Sequence, residues 1–258
     1  MLDQIGIPAH QWSMNIKIGL EKCSSIISSE LQFESHSAAP GKVAHRSVVT
    51  ISRQSGCGAH AVGEKLAAYL EAHAPDTSCP WKLFDNNLVN NVLAEHKLPR
   101  RFARFMEEDR SSELNDIMDE LLGTHPPSGV LVQHTAETIL RLAERGNVIL
   151  IGRGAHLVTR ELPHVLHVRL VACMEKRVEH LRRNRDIRND DALELVRKED
   201  RGRRRYLKKY FGADLDDPLL YHLILNTDRF SYEQTARIIG DIVMNRHAPS
   251  YESSMMSV

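Results

Sequence analysis

The sequence lacks long apolar stretches and is poor in cysteine. None of its hydrophobic runs approaches the roughly 18 residues that a membrane-spanning helix needs. Its first residues, Met-Leu-Asp-Gln-Ile-Gly, have no basic region followed by an apolar core, so no secretory signal is visible. Only 4 of the 258 residues are cysteine, and none of them forms a Cys-x-x-Cys pair. These absences argue against a disulfide scaffold and a cysteine-built zinc site, and they predict a cytoplasmic protein without a membrane partner.

The chain also lacks an excess of charge of either sign. It has 34 Lys and Arg residues against 34 Asp and Glu residues, so a globally basic nucleic-acid-binding protein is not expected. Aromatic residues make up only 5% of the chain, which leaves few rings for stacking on single-stranded nucleic acid. Hydrophobic residues at 42% are typical of a globular protein, and this length suffices for a sizeable core.

Apolar runs alternate with helical patterns along most of the chain. The run Asn147–Ile151 shows no polar alternation, which is typical of a parallel strand buried on both faces. An i, i+3, i+4 pattern predicts an amphipathic helix over about 100–122, and a further helix is expected over Thr135–Arg145 with Gly146 as its C-cap. The other predicted strands are Val48–Ile51, Trp81–Phe84, Val165–Val171 and Tyr221–Leu225, and further helices are expected over 62–70, 174–185, 190–209 and 231–245. The alternation predicts an α/β fold, a parallel sheet with helices on both faces.

The two ends of the chain differ from this central region. Residues 1–45 contain one amphipathic stretch and then a polar segment, so we expect a weakly structured N-terminal extension. Residues 246–258 are expected to form a C-terminal tail. The folded domain is therefore predicted to span 46–245.

A glycine-rich loop follows the first predicted strand. Gly56 and Gly58 lie between that strand and a helix, a geometry in which backbone N–H groups converge on an anion. Residues 56–61 fit the dinucleotide fingerprint G-x-G-x-x-G/A, but four residues separate Gly56 from Ile51, which favours a mononucleotide P-loop. A Walker A motif would end in Gly-Lys-Ser/Thr, where this chain has Gly58-Ala59-His60. A plain strand–helix turn is the third interpretation.

Two other predicted strands end in residues that suit phosphate chemistry. Arg153 lies between two glycines after the third strand, and its guanidinium suits a pair of phosphate oxygens. Asp85 follows the second strand, where it would hold Mg²⁺, orient an acceptor hydroxyl or cap the next helix. After the fourth strand, residues 173–209 hold 14 Lys and Arg against 8 Asp and Glu. This basic segment would cover a polyphosphate, contact nucleic acid or simply face solvent.

Six motifs in register resemble the cytidylate kinase-like family, a divergent branch of the nucleoside monophosphate kinases. They are Ser-Arg-Gln-Ser-Gly-Cys-Gly (52–58), Phe-Asp-Asn-Asn (84–87), Gly-Arg-Gly (152–154), Ala-x-x-Glu-x-Arg (172–177), Asp-Arg-x-Arg-Arg-x-Tyr (200–206) and Asn-Thr-Asp (226–228). The resemblance covers about 46–243. It implies a three-layer α/β/α P-loop NTPase fold with a core five-stranded parallel sheet and a helical lid at about 173–209.

The resemblance also implies roles for individual residues. The donor phosphates of ATP would bind Ser55, Gly56, Cys57, Gly58, Ala59 and His60, with Arg53 nearby. The acceptor would bind Asp85, Arg153 and Arg177, and Asp85 would also serve Mg²⁺. Lid arginines that contact the transferring phosphate match Arg201 and Arg204. With Arg53 and Arg153, these two complete the predicted catalytic set.

Position 59 departs from the pattern of true cytidylate kinases, which carry Lys there and Gly-Thr at positions 60 and 61. Arg53 or a lid arginine is a candidate to supply the missing charge. The sequence thus predicts a P-loop protein that transfers the γ-phosphoryl group of ATP, with Mg²⁺, to a nucleoside monophosphate or similar small acceptor. A nucleotide-binding regulator without transfer activity is the main alternative, and a dinucleotide-dependent oxidoreductase is a third.

Overall fold

The computed structural model describes residues 46–73, 79–85, 88, 97 and 128–246. The predicted extension over 1–45, the predicted amphipathic helix over about 100–122 and residues 247–258 of the predicted tail lie outside the described residues. The predicted boundaries of the domain therefore stay predictions.

Five parallel strands form one sheet in the order β2-β3-β1-β4-β5. The strands are β1 (Val48–Arg53), β2 (Lys82–Phe84), β3 (Val148–Ile151), β4 (Val165–Val171) and β5 (Leu223–Asn226). All five predicted strands are thus confirmed. Strand β1 continues two residues beyond its apolar run, because Ser52 and Arg53 pair with Arg169 and Leu170 of β4.

Six α-helices surround the sheet in the part of the chain that the structure describes. They are α1 (Ala59–His73), α2 (Ser128–Arg145), α3 (Ala155–Val158), α4 (Met174–Arg185), α5 (Asn189–Phe211) and α6 (Tyr232–Asn245), and a 3₁₀ turn covers Pro218–Leu220. Gly146 adopts a φ of 71° and its N–H donates to the carbonyl of Leu142, so it ends α2 as predicted. Helix α2 begins earlier than the expected segment, at Ser128.

Apolar side chains cover both faces of the sheet. On one face, Leu66 of α1 and Ile239 of α6 pack with Ile51 and Val168. On the other face, Ile139 of α2 packs with Leu150 and Val165. All of these side chains are buried. The result is the expected three-layer α/β/α arrangement, in which the carboxyl ends of the parallel strands meet at one edge, the usual place for a ligand.

Helices α4 and α5 form a hairpin, hereafter the lid, that contains the basic segment. The hairpin has a small apolar core of its own, made by Val178, Leu181, Ala192 and Val196. A second cluster, in which Leu207 packs with Leu157 and Leu215, joins the C-terminal part of α5 to the body of the domain. Among the described residues, no helix is long and apolar enough to span a membrane.

Candidate functional site

The glycine loop, residues 54–58, turns from β1 into α1 at the ligand edge of the sheet. Gly56 and Gly58 both have a φ of 79°, a backbone conformation that residues other than glycine rarely adopt. A β-carbon at Gly56 would overlap the backbone carbonyl of Arg177, and one at Gly58 would overlap the ring of Tyr232. Glycine is therefore required at both positions by conformation and by close contact.

Hydrogen bonds fasten this loop to the neighbouring strands. The Gln54 N–H donates to the carbonyl of Leu170 at 3.1 Å, and the Thr227 hydroxyl donates to the carbonyl of Cys57 at 3.1 Å. The side-chain oxygen of Gln54 accepts from the N–H of Ala172 at 3.0 Å. Thr227, from the Asn-Thr-Asp motif, thus positions the loop. The loop itself is short, because β1 runs to Arg53, so its length does not distinguish a mononucleotide site from a dinucleotide site.

Two carboxylates from the lid contact the glycine loop. The backbone N–H of Ser55 donates to Oδ1 of Asp200 at 2.8 Å, and the Ser55 hydroxyl donates to Oε2 of Glu199. Glu199 and Asp200 are each 7% exposed, and Ser55 is 3% exposed. An anion therefore already lies where the loop offers a donor.

Arginines surround these carboxylates. Arg177 donates through Nη1 to Asp200 and to the carbonyl of Ser55, the latter at 3.2 Å. Arg203 approaches Glu199 at 3.2 Å and Asp200 at 3.4 Å, and the more exposed Arg185 reaches Glu199 at 3.3 Å. Because Arg177 and Arg203 are buried, their ion pairs are well shielded from solvent. The loop thus faces a compact cluster of two carboxylates and three guanidinium groups.

The pKa of the Cys57 thiol depends on its burial beside this cluster and on the nearby arginines. Burial raises the pKa of Cys57 to about 11, while the positive charges of Arg53, Arg203 and Arg177 oppose that increase. At neutral pH the thiol is therefore protonated and unreactive. Cys57 contributes its backbone to the loop rather than a nucleophile.

Asp85 and His60 lie together beside the glycine loop. Nδ1 of His60 lies 3.2 Å from Oδ2 of Asp85, and Nε2 of His60 lies 3.4 Å from Glu64. Asp85 thus lies beside the start of α1, although β3 separates β2 from β1 in the sheet. The described residues contain no group of three or more His, Cys, Asp or Glu side chains suited to hold a metal ion. A single carboxylate beside a phosphate loop still fits Mg²⁺, which takes most of its ligands from phosphate and water.

Arg153 occupies a tight turn after β3. Gly152, Arg153 and Gly154 all have positive φ, at 80°, 57° and 69°. A β-carbon at Gly154 would lie 2.7 Å from Cε2 of Phe211, so the end of α5 packs directly on this turn. Arg153 is 8% exposed. The turn places this arginine at the ligand edge and joins it to the helix that carries the lid cluster.

The structure separates the other arginines predicted from the sequence. Arg201 is exposed, and Arg204 pairs through Nε with Asp216 at 2.8 Å. Arg53 lies at the end of β1, close enough to Cys57 for its charge to act on the thiol. The arginine of α5 that contacts the glycine-loop cluster is Arg203, which stands in the 200–206 motif but to which the resemblance gave no role. Its spacing of four and three residues from Glu199 and Asp200 places all three on one helix face, and this pattern could have revealed it.

An open cavity of about 510 Å³ adjoins the glycine loop on the β5 side. Its lining includes Gln54, Cys173, Lys176, Asn226 and Asp228. Asp228 accepts the N–H of Cys173 at 2.6 Å and so closes one wall. The cavity offers both hydrogen-bonding groups and a cation beside the loop.

Comparisons with known proteins show the family of this chain. The sequence model of the cytidylate kinase-like family matches residues 48–229. A cytidylate kinase of Methanopyrus kandleri is 27% identical over 173 residues, which cover 63% of this chain and 88% of that protein. A cytidylate kinase of Methanocaldococcus jannaschii is 29% identical over 109 residues, 41% of this chain and 61% of that protein.

A solved structure supports the fold independently. The crystal structure of an uncharacterized protein from Eubacterium ventriosum superposes with a TM-score of 0.58 at 17% identity, covering 78% of this chain and 99% of that one. At this identity the likeness concerns the fold alone. The family match covers all six motifs that the sequence analysis singled out.

Proposed function

This chain belongs to the cytidylate kinase-like family, and from that membership we propose that it transfers the γ-phosphoryl group of ATP to a nucleoside monophosphate or a similar small acceptor. The observation that carries the proposal is the cluster of buried guanidinium groups held against the glycine loop. Arg177 donates to the carbonyl of Ser55, and Arg203 is fixed by the same carboxylates that contact Ser55. Phosphoryl transfer depends mainly on positioned positive charge, which this arrangement supplies.

The donor phosphates would lie along the glycine loop. The N–H groups of residues 55–59 and the start of α1 would bind their oxygens, and Arg177 and Arg203 would face the transferring group. The two arginines would thereby take over the charge that Lys supplies in true cytidylate kinases at the position of Ala59. The cavity beside Gln54 and Asp228 would receive the nucleoside of ATP.

The acceptor would lie on the other side of the loop, between Arg153 and Asp85. Arg153 would bind its monophosphate, and Asp85 would orient the reacting oxygen or hold Mg²⁺ through water. Bound Mg²⁺ would neutralise charge on the donor phosphates during transfer. The exposed Arg201 and the Asp216-paired Arg204 stay proposals for contacts made when the lid rearranges on substrate.

A nucleotide-binding regulator without transfer activity is the second candidate. Ala59 favours it, because loss of a positioned cation lowers the rate of phosphoryl transfer more than it lowers binding. The match to a kinase-like family and the retained arginines favour transfer. The cytoplasmic location predicted from the sequence accompanies either function as a prediction.

Calorimetry and a coupled assay together test the proposal. Mg·ATP is titrated into the chain with and without CMP, and ADP release is then followed with CMP and other monophosphates. Binding with turnover supports the kinase, and binding without turnover on any common monophosphate supports the regulator. If no nucleotide binds at millimolar concentration, the proposed function is wrong. Arg160→Ala, at an exposed arginine paired with Glu161, serves as the control for Arg153→Ala in the same assay.

A further inference from the structure

The glycine loop is already occupied by an anion from the chain itself. The Ser55 N–H donates to Asp200, and the Ser55 hydroxyl donates to Glu199. A carboxylate oxygen and a phosphate oxygen accept hydrogen bonds from the same donors. The single Ser55 N–H cannot donate a full hydrogen bond to both at once. Placing a polyphosphate beside two buried carboxylates would also bring like charges together at low dielectric. The contact in the structure and the contact with phosphate are therefore mutually exclusive.

The cations of the site are occupied in the same way. Arg177 pairs with Asp200, while Arg203 pairs with both carboxylates. Nε of Arg177 is buried and has no hydrogen-bond partner in the part of the chain that the structure describes. One donor at the loop thus remains for an acceptor that the carboxylates do not supply.

From these contacts we propose that Asp200 and Glu199 form an autoinhibitory latch, which holds the lid on the glycine loop and must be displaced by the phosphates of a nucleotide. This inference rests on the proposed function and adds a regulatory step to it. On displacement, Arg177 and Arg203 exchange carboxylate oxygens for phosphate oxygens, so their ion pairs are replaced rather than lost. The exchange couples phosphate binding to movement of the lid.

The packing within the lid would allow this movement. Its own apolar core holds α4 and α5 together, so the hairpin can shift as a unit without exposing those side chains. The Leu207 cluster anchors the far end of α5, while α4 meets the glycine loop at Gly56 and the ring of Tyr232 through His180. The latch residues lie along α5 between these two clusters, so a rotation about the end of α5 held by Leu207 would move them away from Ser55.

The test uses inorganic pyrophosphate as a probe, because its phosphate groups can bind the glycine loop without any contribution from a nucleoside. Pyrophosphate is titrated by calorimetry into the full chain and into the variants Asp200→Asn and Glu199→Gln. Each variant removes one negative charge with little change in shape. The matched control is Asp191→Asn, which removes an exposed carboxylate of the same helix that pairs with Arg188. Mg·ATP is titrated into the same four proteins.

We expect pyrophosphate to bind both latch variants about 10- to 100-fold more tightly than it binds the wild type. This is the change in affinity that corresponds to losing one competing hydrogen bond to a charged group. Asp191→Asn should bind as the wild type does. Equal or weaker binding to both latch variants overturns the latch, as does a lack of pyrophosphate binding to every protein. Tighter pyrophosphate binding without any Mg·ATP binding keeps the latch but refutes the kinase. If Asp200→Asn does not fold, Glu199→Gln decides, since on the glycine loop the Glu199 carboxylate contacts the Ser55 hydroxyl and not the backbone N–H.

Discussion

The ring of Tyr232 lies directly against Gly58, although 174 residues of chain separate them. Tyr232 begins α6, and its hydroxyl lies 3.1 Å from Nδ1 of His180 in α4. The same ring therefore touches the glycine loop and reaches the lid. Through this contact, the conformation of the loop and the position of α4 are mechanically linked.

Replacing Gly58 should damage both stability and nucleotide binding. Gly58→Ala adds a β-carbon that overlaps the Tyr232 ring at a φ of 79°, so we expect the free energy of unfolding to fall by about 2–4 kcal/mol. Urea unfolding measures this change, and calorimetry with Mg·ATP measures the loss of binding.

Gly212 provides the matched control for Gly58. It also has a positive φ, 66°, but a β-carbon there meets no atom within 4 Å. Gly212→Ala should therefore cost only the backbone strain, about 1 kcal/mol, and leave nucleotide binding intact. Equal losses in the two variants would show that contact with Tyr232 is unimportant.

Removal of Arg153 should affect the acceptor more than the donor. Arg153→Ala is expected to raise the KM for the monophosphate at least about tenfold, because a charge-assisted contact to phosphate is lost, with little change in the affinity for Mg·ATP. Steady-state kinetics with each substrate varied in turn measures both. An equal effect on donor and acceptor would contradict the assignment.

Acid should destabilise the protein through a buried histidine on β4. His167 is 4% exposed, its Nδ1 lies 2.9 Å from the Thr50 hydroxyl, and its ring stacks on His222. Burial first, and then the nearby charges of His222, His156 and Arg246, together lower the pKa of His167 from 6.5 to about 3. Between about pH 6.5 and 3, His167 is therefore protonated in the unfolded chain but neutral in the folded protein. Stability is full above pH 6.5 and falls as the pH is lowered towards 3.

Urea unfolding at pH 7.5 and pH 5.0 tests this prediction. The wild type should lose about 2 kcal/mol between these values through His167. His167→Asn should reduce that loss, whereas His73→Asn, at an exposed histidine that contacts the Tyr69 carbonyl, should retain it. An unchanged pH dependence in the His167 variant would exclude this histidine as the cause.

The sheet could be predicted from the sequence because its signals are local. Strand β3 is a continuous apolar run, as a strand buried on both faces requires, and apolar residues fill most positions of β2, β4 and β5. The two residues that β1 adds at its end, Ser52 and Arg53, are polar, and only their pairing with β4 makes them strand. Tertiary hydrogen bonds, which no local pattern reports, set that boundary.

The candidate site could be predicted only in part, for the same reason. Asp85, Arg153 and the glycine loop follow strands, so the order of the sheet brings them to one edge. The contacts of Glu199, Asp200 and Arg203 depend on how the lid docks. Within a basic segment these residues look like any solvated helix face, and a rotation of one residue along α5 exchanges the buried Arg203 for the exposed Arg204.

Arg203 and Arg201 form the most informative pair of residues for a test, because the first is buried at the glycine loop and the second is exposed. Arg203→Ala leaves Asp200 and Glu199 beside the loop with one buried partner fewer, and it removes a cation that would face phosphate. Both effects disfavour an anion, so the affinity for Mg·ATP should fall at least about tenfold. Arg201→Ala, at an exposed side chain two residues away, removes the same charge. Because Arg201 is proposed to contact the transferring phosphate only after the lid rearranges, this variant should lower turnover but lower the affinity for Mg·ATP less than threefold. If Arg201→Ala is instead the more damaging variant, the lid must turn on binding ATP so that the arginine assigned by the family motif reaches the phosphates.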